Sequence, residues 1–134
     1  MEKKVRIGLL GAGRIGKLHG ENLAHAVSDA ELYAVADPFM NDATRAWAKS
    51  MGIEKCYDDP EMIFSDPTID AVFICSSTNT HAEFIKRAAA AGKHAFCEKP
   101  IDTKLNKIKD ALDAVEKAGV KLQVGFVRRF DHNH

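Results

Sequence analysis

Val5-Arg-Ile-Gly-Leu-Leu-Gly-Ala-Gly-Arg-Ile-Gly16 constrains this chain more than any other stretch. Val5 to Leu10 reads as an apolar strand. Gly11, Gly13 and Gly16 turn the chain, and a helical pattern follows with Ile15, Leu18, Asn22, Leu23 and Ala26 on one side. A bare Gly-x-Gly-x-x-Gly is a weak signal, because a glycine turn can simply link a strand to a helix. Its setting here is more demanding. A strand precedes it, a helix follows, and an acid, Asp37, closes the next strand 21 positions beyond Gly16. That combination implies a dinucleotide-binding turn. Gly11 permits the tight turn, Gly13 lets a pyrophosphate approach the backbone, and Gly16 lets the helix pack on the strand. The helix start, with Arg14 and Ile15, offers free N–H groups and partial positive charge to the phosphates.

Charge and cysteine usage exclude several classes. The 134 residues carry 19 basic and 19 acidic side chains, a formal balance of zero. No lysine-arginine run marks a nucleic-acid or anionic-membrane surface. No apolar run has the length of a membrane span, and the charged N-terminus does not read as a signal peptide. A cytoplasmic protein is expected, with neither nucleic acid nor membrane as partner. Cys56, Cys75 and Cys97 fall in or beside predicted strands without C-x-x-C spacing. They read as reduced, mostly buried thiols. His132-Asn133-His134 lacks a surrounding ligand pattern, so no metal site is expected.

The rest of the chain alternates strand and helix. Strands are expected at Lys4–Leu10, Glu31–Ala36, Ile53–Tyr57, Ala71–Cys75, His94–Glu98 and Lys121–Gly125. Helices are expected at Arg14–Ala26, at Asn41–Ser50, briefly after Asp59-Pro60-Glu61, from Thr80 to Ala91, and over Lys104–Ala118. Trp47 in the second helix reads as a packing residue. Asp59 and Pro60 form a helix start. Thr80 and Glu83 have the spacing of a capping box. Leu105, Ile108, Leu112 and Val115 lie on one helical face and are expected to be buried. Alternation with short loops predicts a single α/β domain over residues 1–134. It is a doubly wound, six-stranded parallel Rossmann sheet in the order 3-2-1-4-5-6, with helices on both faces.

In that topology the crevice lies at the carboxyl ends of strands one and four. It gathers the glycine loop, Asp37, the loop Ser76-Ser77-Thr78-Asn79 and Glu98-Lys99-Pro100 on one sheet edge. Asp37 can accept hydrogen bonds from both adenosine-ribose hydroxyls, whereas a 2′-phosphate there meets like charge. Unit charges 4 Å apart repel by about 1 kcal/mol in water and about 4 kcal/mol at an effective dielectric near 20. Pro38, Phe39 and Met40 supply no cation to offset this, and Arg45 lies a helical turn inward. NAD is therefore the expected cofactor, in preference to NADP.

Six matching pieces give the whole chain a recognisable resemblance. They are Gly11 to Gly16, Ala36-Asp37-Pro38, Ser76 to His81, Ala91-Gly92-Lys93-His94, Glu98-Lys99-Pro100, and Gly125 to Asp131. The chain resembles the cofactor domain of the glucose–fructose oxidoreductase / inositol dehydrogenase / rhizopine-catabolism (Gfo/Idh/MocA) family. Its Arg128-Arg129-Phe130-Asp131 ending is most similar to inositol 2-dehydrogenases. The resemblance implies oxidation of a ring hydroxyl of a cyclic polyol or sugar, with hydride passing to nicotinamide, in a homo-oligomeric parent. It implies that Lys99 is the catalytic lysine on the reacting hydroxyl, where an ammonium stabilises developing charge and relays a proton. Glu98 then lies near the nicotinamide ribose, and Arg129 faces the substrate. His81 matches the family's Thr-x-x-His loop and joins the cofactor-site residues, although its place in a helix's first turn suits a structural role.

Family members are more than twice as long. Their second α/β domain supplies an aspartate, a histidine and most of the substrate pocket. The present chain is expected to be such a protein's cofactor domain, binding NAD without turning over substrate. Two rival readings stand beside this one. An S-adenosylmethionine-dependent methyltransferase also has an acid after strand two, but its motif usually runs Gly-x-Gly-x-Gly, and position 15 here is isoleucine. A non-enzymatic nicotinamide-nucleotide sensor or interaction domain is the other.

Overall fold

Six short runs of apolar residues pair side by side in one sheet. The computed structural model describes residues 5–13, 16–18, 20–21, 29–98 and 101–125; Arg14, Ile15, Lys99 and Arg129 lie outside them. The strands are β1 (Val5–Leu10), β2 (Ala30–Ala36), β3 (Lys55–Tyr57), β4 (Ala71–Ile74), β5 (His94–Glu98) and β6 (Leu122–Gly125). Their order is β3-β2-β1-β4-β5-β6, and every pair is parallel, as the alternation predicts. Residues 16–18 and 20–21, just after the glycine loop, are helical. Further on come α1 (Asp42–Ser50), α2 (Glu61–Phe64), α3 (Thr78–Ala90) and α4 (Leu105–Ala118).

Successive side chains on a strand point to opposite faces, so neighbours enter different cores. Leu10, Ala34, Val72, Ile74 and Cys97 face one way and pack with Ile63, Ile85, Ala88 and Ala111 from the helices. Leu9 and Val35 face the other way and pack with Ala48 and Ile53. Burial on both faces explains why β4 is apolar throughout. Trp47 packs against the second cluster and donates its indole N–H to Glu21 Oε2 at 2.9 Å, the packing role expected of it.

Two local expectations need correction. The capping box at Thr80 and Glu83 does not form. Helix α3 begins two residues earlier, with Ser77 at its N-cap and no side-chain cap hydrogen bond. Thr80 instead donates its hydroxyl to the Ser77 carbonyl at 2.6 Å. The second correction is the buried face of α4. Leu105 is 80% and Leu112 45% exposed, whereas Ala111 is fully buried. Ala88 of α3 lies in one core cluster with Ala111, and small residues let helix backbones approach. The helix therefore turns its own alanine inward, with Val115 beside it on the core.

Two buried polar groups matter for stability. Lys93 donates from Nζ to the Asp66 and Ile69 carbonyls at 2.6 and 2.7 Å, tying the turn before β4 to the start of β5. Burial lowers its pKa, and Asp66 and Asp70 oppose the shift. Cys97 is fully buried; burial, with the Glu98 charge adding to it, pushes its thiol up to about 12.

Candidate functional site

The carboxyl ends of β1, β2 and β4 converge on the glycine loop. Gly11 has φ of 100°, a left-handed conformation that favours glycine, and a Cβ there would stand 2.7 Å from the Cys75 backbone. A Cβ on Gly16 would stand 2.1 Å from the Gly11 carbonyl oxygen. These two glycines are therefore demanded by the fold. Gly13 is different. Its φ is not positive, and among the described residues a Cβ there would meet nothing within 4 Å. Neither backbone nor packing accounts for a glycine at that position, but a ligand group lying on the backbone would. The residues thus fit a pyrophosphate cradled at the start of a helix.

Asp37 does more than close β2. Its Oδ2 accepts the Ala12 N–H at 2.7 Å, and its Oδ1 accepts the Phe39 N–H at 2.8 Å. One carboxylate therefore braces the glycine loop and the turn after β2 together. The carboxylate stays partly exposed on the cavity wall. Each oxygen can accept more than one hydrogen bond, so capacity for ribose hydroxyls remains.

The cavity itself measures about 410 Å³. It brings together Gly11, Gly13, Asp37, Ser76 and Ser77 from the set expected from sequence. Sequence reasoning missed Cys75, Thr80 and an apolar group, Phe39, Pro60 and Phe84, that also line it. A larger hollow of about 760 Å³ runs along the sheet past Ile7, Phe73 and Phe96. It contains none of the glycine-loop residues, and the chemistry favours the smaller cavity.

The β4–α3 loop is held by its own hydroxyls. Ser76 Oγ stands 2.6 Å from Thr80 Oγ1, and Ser77 Oγ donates to Asn79 Oδ1 at 2.7 Å. His81 is 98% buried by its 2% exposure, and its Nε2 lies 2.9 Å from the Ser76 carbonyl. It reaches the cavity through Ser76, the structural role its helical position suggests. Thr78 and Asn79 open α3 and, with His81, are not among the cavity-lining residues. Glu98 is buried at the carboxyl end of β5, on the same sheet edge but off the cavity wall. Lys99, Arg129, Arg14 and Ile15 lie outside the described residues. Among the described residues no cluster of metal-ligating side chains occurs, and no helix is long and apolar enough to cross a membrane.

A doubly wound parallel sheet with a glycine loop and an acid meeting at its switch point defines a dinucleotide-binding domain. Comparison with known proteins narrows the class. Residues 5–126 match the Gfo/Idh/MocA family model, an oxidoreductase family with an NAD-binding Rossmann fold, and the chain belongs to that family. It is 46% identical over 129 residues to a myo-inositol 2-dehydrogenase of Thermotoga maritima, covering 96% of this chain and 38% of the relative. It is 45% identical over 131 residues to the scyllo-inositol 2-dehydrogenase (NAD(+)) of Bacillus subtilis, covering 98% of this chain and 38% of the relative. A crystal structure of Lactobacillus casei scyllo-inositol dehydrogenase with bound NAD(H) and scyllo-inositol superposes with a TM-score of 0.86. It shares 36% identity over 97% of this chain and 38% of that one. The chain therefore spans 38% of the length of these relatives.

Proposed function

We propose that this chain binds NAD in the cavity between Gly13, Asp37 and Ser76. On this reading it is the cofactor domain of an oxidoreductase acting on a secondary hydroxyl of a cyclic polyol, with inositols the favoured class. The observation that carries the reading is Gly13: a glycine that the fold does not require, at a helix start, in a cavity walled by a carboxylate. NAD would supply the hydride acceptor. The chain's own residues then divide the work. The glycine loop receives the pyrophosphate, Asp37 takes the adenosine ribose, and the Ser76–Asn79 loop and Glu98 border the nicotinamide half. Lys99, carried over from the Glu-Lys-Pro match, would hydrogen-bond the reacting hydroxyl and move its proton. Arg129 would contact the polyol.

The 134 residues alone would bind cofactor without turnover. In the notion drawn from the resemblance, the general base and most of the substrate pocket lie in the second domain. Loss of a positioned general base costs about 10²–10⁴-fold. Loss of substrate orientation forfeits about 7–11 kcal/mol more. Calorimetry with NAD and an initial-rate assay with myo-inositol on one preparation test both halves. Absence of NAD binding at millimolar concentration refutes the site. Turnover that Lys99→Ala abolishes refutes the inactivity of the isolated chain.

A further inference from the structure

One wall of the cavity is braced from outside it. Phe84 on α3 and Pro60 before α2 both line the cavity, and Phe39, 82% exposed, stands at its rim. Arg87, one turn beyond Phe84 on α3, forms an ion pair with Glu61, the residue after Pro60. Its guanidinium carbon lies 4.6 Å from the Phe64 ring centroid and 5.8 Å from that of Phe84. The two rings are themselves 5.6 Å apart and tilted by 55°. Phe64 belongs to the buried core, so the stack is fixed at one end. A planar cation that both pairs with a carboxylate and lies over two rings restrains α2 and α3 relative to each other. Arg87 is absent from the cavity lining.

We infer that Arg87 is a positioning residue for the adenine end of the cavity: through Glu61 and the two phenylalanines it holds Pro60 and Phe84 where a purine lies against them. The inference rests on the proposed NAD reading. If Asp37 takes the adenosine ribose, the attached base leaves past Asp37, and the apolar surfaces there are Phe39, Pro60 and Phe84. Flat apolar walls suit a purine and offer nothing to a phosphate. Arg87 therefore acts on one half of the ligand only.

The test compares NAD, AMP and inorganic pyrophosphate by NMR titration of the full 134-residue chain, a method that reads millimolar affinities. Arg87→Gln is expected to weaken NAD and AMP about threefold to tenfold, the scale of a lost cation–π contact and ion pair. Pyrophosphate affinity, which reports the glycine loop, is expected to stay unchanged. Glu61→Gln removes the exposed partner of the pair and should reproduce the pattern more weakly, which keeps the test open if Arg87→Gln misfolds. Unchanged NAD and AMP affinity in both folded variants overturns the inference alone. So does an equal weakening of all three ligands, which would mark general loosening. Failure of the unaltered chain to bind NAD overturns the proposed function, and this inference with it.

Discussion

Substituting alanine at Gly13 and at Gly16 should have opposite consequences. At Gly16 the new Cβ would lie 2.1 Å from the Gly11 carbonyl oxygen, 3.0 Å from its carbon and 3.5 Å from Cys75 Cβ. The nearest of these atoms are backbone, so no side-chain rotation relieves the clash. Overpacking of this kind costs about 1–3 kcal/mol, and the upper end applies where backbone must move. With an unfolding entropy of about 2.1 cal/mol/K per residue, a chain of this length loses about 10 °C of Tm for a 3 kcal/mol penalty. At Gly13 the new Cβ meets nothing within 4 Å among the described residues, and φ is not positive. The stability change should stay within about 0.5 kcal/mol, or about 2 °C. Binding reverses the order of interest. A methyl group on the Gly13 cradle separates the pyrophosphate from the backbone donors, and charge-assisted hydrogen bonds are worth about 1.5–3 kcal/mol. NAD affinity should fall at least about tenfold. Differential scanning calorimetry and NAD titration on the two variants decide the matter. If Gly13→Ala binds NAD as tightly as the unaltered chain, the space above Gly13 is not a phosphate seat. If Gly16→Ala melts within about 2 °C of it, close packing against the Gly11 carbonyl is not what demands glycine there.

Asp37→Ala should raise NADPH affinity relative to NADH in fluorescence titrations, because the like charge facing a 2′-phosphate is removed. It should also lower stability by about 1–3 kcal/mol in urea unfolding, since the Ala12 and Phe39 N–H groups lose their acceptor. Cys97 has a folded pKa of about 12, raised from 9.0 by burial and by Glu98. Its contribution to stability is therefore fully present below about pH 9 and lost as pH rises through about 12, where the unfolded thiol ionises first. Cys97→Ala should flatten the alkaline limb of a stability–pH profile; an unchanged slope above pH 9 would contradict this. Lys93→Ala should cost about 1–3 kcal/mol by taking the Nζ donor from the Ile69 carbonyl and one of two donors from the Asp66 carbonyl, which keeps the Ile69 N–H, measured as a shift in the urea midpoint.

Much of the site could be read before any coordinates, for a topological reason. A parallel sheet with short crossovers sends every strand's carboxyl end to one edge, so Gly11, Asp37 and Ser76 had to meet. The strand order followed from the same alternation. Side-chain detail was less legible. Leu105 and Leu112 form an apolar stripe, yet Ala111 is the residue buried, in one core cluster with Ala88 of α3. Thr80 and Glu83 match a capping box in spacing, yet α3 starts at Thr78 because Ser77 supplies the N-cap backbone geometry. Phe84 and Pro60 gave no signal as site residues; only the approach of α2 and α3 brings them to the cavity. The second role of Asp37, bracing Ala12, depends on loop geometry that no motif encodes.

The central position of β1 also governs when a site can exist during folding. β1 pairs with β2 on one side and with β4 on the other, and the Arg6 N–H bonds to Asp70 Oδ2 across 64 residues of chain. Closing the second pairing carries a larger loop entropy than closing the first, and sheets rich in distant pairings fold slowly. A nascent chain that has emerged only through β3 can form one half-sheet, with the Leu10 edge of β1 still lacking its neighbour. Ser76 and the β4 ladder arrive later and complete the cavity in one step. On the proposed reading, cofactor capture would report the closure of β4 on β1, and NAD present during refolding should slow unfolding more than it speeds folding.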